Sequence, residues 1–159
     1  MKFLGVDPGL SGAIALWHTE LEFAWVEDMP TTSITTKKGQ RRRLDAQQLA
    51  NLIVKMAPDQ AYVEEVSAMP GQGVSSMFQF GRSLGVIEGV LGGLKVPVTL
   101  VVPRRWQAVM GVRGKDNTRA QAANLLPDQR ELFARKKDDG RADAVLIALY
   151  AERHWKGND

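Results

Sequence analysis

An acidic residue ends an apolar strand near the start of this chain, and that placement limits the possible folds more than any other feature. Residues 4–14 read L-G-V-D-P-G-L-S-G-A-I. Leu4 and Val6, with Phe3 before them, have the character of a buried strand, and Gly5, Gly9 and Gly12 with Pro8 mark a tight turn into a second apolar run, Ala13 to Trp17. A buried carboxylate such as Asp7 needs a compensating partner. The plainer alternative is a turn-forming Asp before Pro-Gly.

Asp7 has company. Glu64 lies in another apolar strand, Y-V-E-E-V at 62–66, where Glu64 and Glu65 must point to opposite faces. Asp143 falls in the first turn of a helix that is otherwise apolar on most sides. Taken singly, Asp143, Asp138 or Asp139 could serve only to cap or polarise a helix N-terminus. Together, interior-leaning carboxylates repel one another and resist desolvation unless a cation sits between them. The chain has no cysteine and only two histidines, neither near these motifs. An all-oxygen donor set suits Mg²⁺ or Mn²⁺, not zinc. Two such ions about 4 Å apart activate water on one side of a phosphodiester and stabilise the leaving oxygen on the other.

The positive charges are gathered. Net charge is only +3 over 159 residues. Yet Lys37, Lys38, Arg41, Arg42 and Arg43 fall within seven residues, Arg104 adjoins Arg105, Arg113, Lys115 and Arg119 follow closely, and Arg135, Lys136 and Lys137 form a further run. Such clusters suit a polyanionic partner, with solvated loops as the alternative. An acidic centre in basic surroundings points to phosphodiester cleavage. Length and a 44% hydrophobic content predict one domain. No membrane-spanning run and no leader pattern stand out, so a cytoplasmic protein without a membrane partner is expected.

Along the chain, strands are predicted at about 2–7, 12–18 and 21–27, forming an antiparallel meander. The polar, Thr-rich and basic stretch at about 31–44 reads as a mobile loop. Asp45 is then the N-cap of a helix with Leu49, Leu52, Ile53 and Met56 at helical spacing, ending at Pro58. A strand over 61–66 precedes a Gly/Pro-rich link and a helix of about 75–93. That helix carries an apolar stripe of Phe80, Leu84, Ile87 and Leu91, with Gly81, Gly85 and Gly89 four apart on one face. Each interior glycine costs about 1 kcal/mol relative to alanine, so something is expected to approach that backbone closely. A strand over 96–102, a short helical turn at 105–110 and helices at 117–125 and 142–155 complete a mixed α/β sheet covered by helices.

These motifs resemble the RuvC-like Holliday junction resolvases of the ribonuclease H-like superfamily, in particular their short, phage-like form. The matching stretches are G-V-D-P-G at 5–9, V-E-E-V at 63–66, G-R-S-L-G-V-I-E-G at 81–89, V-P-R-R-W at 102–106 and R-A-D-A-V-L-I-A-L at 141–149. The resemblance implies a ribonuclease H-like fold with a five-stranded mixed sheet in the order 3-2-1-4-5. It also implies Mg²⁺-dependent nicking of four-way or related branched DNA by a homodimer, in a bacterial nucleoid or a phage-infected cell. Asp7, Glu64 and Asp143 would be the catalytic metal ligands, and Glu64 is preferred to Glu65 on this ground. Members of that family place an acid or histidine three residues before the last aspartate, where this chain has Gly140. Asp139, four before Asp143, is the expected fourth ligand or base, with Asp138 behind it.

Softer expectations surround that centre. Lys115 could stabilise transition-state charge on the scissile phosphate, or be merely solvated. Arg104, Arg105, Arg113 and Arg119 would hold flanking phosphates, as would Lys37, Lys38 and Arg41 to Arg43 on a duplex arm. Phe78, with Met77, could wedge against an unstacked base or simply pack in the core. Two competitors remain. The G-V-D-P-G-L-S-G turn also resembles the phosphate loop of sugar-kinase and actin-like ATPases, but those need a second domain and 159 residues leave no room, so no nucleotide cofactor is expected. The other is a DNA-binding module of the same fold without catalysis.

Overall fold

A computed structural model describes residues 1–37, 39–65, 67, 71, 73–113 and 115–156, with the backbone alone at 115 and 116. Strands β1 (Lys2–Asp7), β2 (Ala13–His18) and β3 (Phe23–Asp28) form the expected antiparallel meander. The next stretch is not a loop. Thr31–Thr36 (β4) and Gly39–Leu44 (β5) pair antiparallel as a separate two-stranded ribbon. Gly39, at φ +107°, takes the left-handed backbone that starts the return strand. Arg42 fastens the ribbon to the turn after β1 by donating to the Leu10 carbonyl at 3.0 Å.

Helix α1 (Ala46–Met56) begins as expected, with Asp45 accepting from the Gln48 N–H at 3.0 Å. Strand β6 (Gln60–Glu64) runs parallel to β1, α2 spans Val74–Gly93, and β7 (Val98–Val101) runs parallel to β6. Helices α3 (Pro103–Met110) and α4 (Lys115–Leu125) follow, then 3-10 turns at Pro127–Phe133 and Lys136–Asp138, and α5 (Asp139–His154). The main sheet has the order β3-β2-β1-β6-β7. These are the five strands expected in the order 3-2-1-4-5, renumbered because the ribbon contributes two strands that the polar sequence concealed.

Alternation along the strands builds two cores. Phe3, Ala13, Ala15, Trp17 and Tyr62 face α5, Trp106 and Phe133, whereas Leu4, Val6, Ile14, Leu16, Ala61 and Val63 face α1 and α2. Asp7 and Glu64 share the parity of Phe3 and Tyr62, so both carboxylates lie on the α5 side. Gly5 has the same parity. A Cβ there would collide with the Ala144 carbonyl of α5, so this glycine lets the helix rest directly on β1. That close approach brings Asp143 beside Asp7.

The glycines of α2 have a different setting. Among the described residues nothing lies within 4 Å of a Cβ built at Gly81, Gly85 or Gly89, so the expected close approach does not occur among them. Only Ser83, Ile87 and Leu91 of this helix are buried, and Phe80, expected in its apolar stripe, is 37% exposed.

Candidate active site

The carboxyl ends of β1 and β6 and the start of α5 meet at a cleft of about 730 Å³ lined by Asp7, Glu64, Asp139 and Asp143. Helix α5 starts at Asp139, so Asp139 and Asp143 stand one turn apart on one face, and Asp143 lies beyond the first turn. Glu65 is exposed and does not line the cleft. Asp7 is held by its own turn: the Gly9 N–H donates to Oδ1 at 3.3 Å, and Gly12 closes the turn by donating to the Gly9 carbonyl at 2.9 Å.

Electrostatics mark the two deeper acids. Burial pushes Glu64 up to about 7; a hydrogen bond from Trp106 opposes this, and the charge of Asp7 adds to it. Trp106 is fully buried on α3, and its Nε1 donates to Glu64 Oε1 at 2.9 Å. Asp143 is likewise raised to about 7, first by burial and then by Asp7 and Glu64, with Thr118 donating a hydrogen bond that opposes the shift. Its Oδ1 is buried and has no hydrogen-bond partner among the described residues. An orphaned carboxylate oxygen among other carboxylates has the chemistry of a hard-cation ligand. The donor set therefore fits Mg²⁺ or Mn²⁺, although among the described residues no three such side chains converge into a ready-made ligand shell.

Asp139 and Asp138 divide sharply. Asp139 lines the cleft and pairs with Arg119, Nε to Oδ1 at 2.8 Å. Asp138 is buried in a reciprocal cap: the Arg135 N–H donates to its Oδ2 at 2.9 Å and the Arg135 guanidinium to its Oδ1 at 2.8 Å. These contacts hold its carboxyl below the usual range against the opposing effect of burial. Asp138 thus shapes the entry to α5, which Arg141 also secures by gripping Asp28 through two nitrogens at 2.6 and 2.8 Å.

Gly140 has a steric reason. A Cβ there would stand 2.7 Å from the Gly12 Cα, 2.7 Å from the Ser11 carbonyl oxygen and 3.0 Å from Asp7 Oδ2. The turn after β1 fills the space that a side chain at this position would need.

Among the described residues, none of the expected basic contacts lines the acidic cleft. Lys37, Arg41, Arg104, Arg105 and Arg113 are exposed, Arg43 is half-buried, and Arg104 and Arg113 share a groove with Asn117. Arg119 is engaged with Asp139 and is not a free outer contact. Lys38 and the Lys115 side chain lie outside the described residues; the Lys115 backbone opens α4. Phe78 is 72% exposed near the start of α2, so core packing does not account for it. Sequence reasoning missed Lys137, Gln79, Ser75, Ser76 and Phe80 as lining residues. For Lys137 the signal was the R-K-K run, three residues before the cleft glycine.

The chain matches no protein-family model. Over 93 residues, 57% of this chain, it is 38% identical to the chloroplastic Holliday junction resolvase MOC1 of Chlamydomonas reinhardtii, but the match spans only 10% of that relative. Over 151 residues, 92% of this chain and 76% of the relative, it is 24% identical to the crossover junction endodeoxyribonuclease RuvC of Christiangramia forsetii. The fold is similar to that of T. thermophilus RuvC, solved in complex with a Holliday junction substrate, with a TM-score of 0.67, 15% identity and coverage of 96% of this chain and 95% of that one. In sequence and in fold, the chain is similar to RuvC-like Holliday junction resolvases.

Proposed function

We propose that this protein is a metal-dependent endonuclease that nicks four-way or related branched DNA. The observation that carries the reading is the convergence of Asp7, Glu64, Asp139 and Asp143 from three separate elements on one cleft, with Asp143 Oδ1 unsatisfied. These four residues would hold Mg²⁺ or Mn²⁺, two ions per site by the resemblance, and ions so held activate water and stabilise the leaving oxygen of a phosphodiester. Trp106 orients Glu64 and leaves one of its oxygens for the cleft. Lys137 supplies positive charge at the cleft edge, a role the sequence suggested for Lys115.

Binding of the DNA falls to Lys37 and Arg41 to Arg43 at the ribbon, to Lys38, which adjoins them in sequence, and to Arg104, Arg105 and Arg113 along the α3–α4 edge. Phe78, exposed on α2 next to Gln79 of the cleft lining, would stack on an unpaired base at a branch point. A homodimer, which would present two clefts to paired strands, is supported by the open glycine face of α2 and by Val98, Leu100 and Val102 on and beside the edge strand β7, each at least 36% exposed. A non-catalytic module remains the second reading, favoured by the absence of a ready-made ligand shell among the described residues.

The test is cleavage of a labelled four-way junction beside a linear duplex of the same sequence, with Mg²⁺ and with EDTA, by wild type and Asp7→Asn. Metal-dependent nicks in the junction alone, absent from the variant, support the nuclease. Junction binding without cuts in either Mg²⁺ or Mn²⁺ supports the module instead.

A further inference from the structure

A second cleft, of about 460 Å³, opens between the ribbon, the start of α1 and α2, lined by Arg43, Arg82, Thr32, Gln47 and Gln79 among others. Arg82 was in none of the charge clusters of the sequence. Thr32 and Arg43 are partners across the ribbon, and Arg82 is exposed on α2 one turn beyond Phe78. Among the described residues neither guanidinium makes a hydrogen bond or ion pair with the protein. Asp45 also lines this cleft, but its Oδ1 is occupied as the α1 cap by the Gln48 N–H. Two unpaired arginines converging on one concavity repel each other until an anion enters, and planar guanidinium groups suit phosphate oxygens.

The two clefts adjoin. Gln79 and Ser83 line both, so the arginine cleft begins where the acidic one ends. We infer that the arginine cleft is a phosphate subsite in which Arg43 and Arg82 hold a backbone phosphate of the same DNA strand whose phosphodiester lies over the acidic cleft. The inference rests on the nuclease reading and adds to it the path of the cut strand. The shape explains why the ligand is a strand and not a free anion: a chain passing over Gln79, which lines both clefts, occupies both sites at once, so each contact raises the effective concentration of the other.

The experiment measures binding of a labelled four-way junction in EDTA across a salt series for wild type, Arg82→Gln, Arg43→Gln and Arg153→Gln. Arg153 is exposed on α5 at the opposite end of the sheet and provides the same change of charge. Melting temperature checks that each variant is folded. Arg82→Gln and Arg43→Gln should each weaken binding about tenfold and lower the salt slope by about 0.7 to 0.9, the value for one lost phosphate contact, while Arg153→Gln changes neither. A single neutral methylphosphonate on the cut strand should weaken wild type more than it weakens Arg82→Gln, which has already lost one of the two contacts to that phosphate. If wild type binds and cuts junctions but Arg82→Gln and Arg43→Gln bind as wild type does, the subsite is overturned and the nuclease reading stands. If the sensitive methylphosphonate lies on an uncut strand, the strand path is wrong. Wild type that binds no junction overturns both.

Discussion

Gly140 on α5 and Asp7 on β1 are in such close apposition that a Cβ at residue 140 would stand 3.0 Å from Asp7 Oδ2. The same Cβ would press on the backbone at Ser11 and Gly12, which cannot swing aside as a flexible side chain could. Restoring an acid with Gly140→Asp should therefore not improve cleavage. It should destabilise the fold by about 3 kcal/mol, through overpacking and a carboxylate added beside Asp7. Denaturant unfolding measures the first effect and junction cleavage the second; a stable variant with raised activity would show that the turn yields.

Trp106 and Glu64 give a prediction of a different kind. Trp106→Phe keeps an aromatic ring in the core but removes the N–H that opposes the upward push of burial on Glu64. Glu64 should then hold its proton to higher pH. Mn²⁺ affinity of the DNA-free protein at pH 7 should fall by about tenfold, in line with the loss of an outer-shell partner, and recover as pH rises. Titration calorimetry at two pH values checks this, and a loss equal at both pH values would mean that Trp106 matters for packing alone.

The acidic centre should also govern stability in the absence of metal. Glu64 and Asp143 hold protons up to about 7 in the folded chain, whereas the unfolded chain releases them near the ordinary carboxylate values. Between those limits the folded state binds more protons, so the contribution is full below the ordinary values and is lost as pH rises through about 7. The melting temperature in EDTA should therefore decline from pH 5 to pH 8. Asp143→Asn removes one of the two groups, so its decline should be smaller, and at pH 8 its unfolding free energy should exceed that of wild type by about 1–2 kcal/mol. Parallel profiles for the two proteins would place the cause elsewhere.

How far the sequence could carry this site depends on what each residue's neighbours reveal. Asp7 and Asp143 were legible because an acid in an apolar strand or helix is conspicuous, and the sheet order followed from a resemblance spread along the chain. The ribbon was not legible. Its two strands stand off the core, so Arg41 to Arg43 and four threonines read as loop, and only the β-branched run at 31–36 hinted at pairing. The choice between Asp138 and Asp139 was also closed to sequence, since it turns on which carboxylate Arg135 captures as a cap. Gly140 looked like a departure from a pattern. Its cause lies in a turn 128 residues away in the chain, at Gly12.

Helix α2 carries the last prediction, because its glycines mean opposite things alone and in a pair. In the isolated subunit a methyl group at Gly85 meets none of the described residues, so Gly85→Ala should stabilise by up to about 1 kcal/mol through helix propensity. If that face packs against a second copy, the same methyl intrudes on a close backbone contact and the dimer weakens instead. Gly81 and Gly89 share the face and should behave alike. Sedimentation of wild type and Gly85→Ala over a concentration series, paired with their melting temperatures, separates the cases. The homodimer requires wild type to sediment as a dimer and Gly85→Ala to dissociate at lower dilution. A monomeric wild type whose variant melts higher would leave the glycine face without a partner copy and remove the argument for two coordinated cuts.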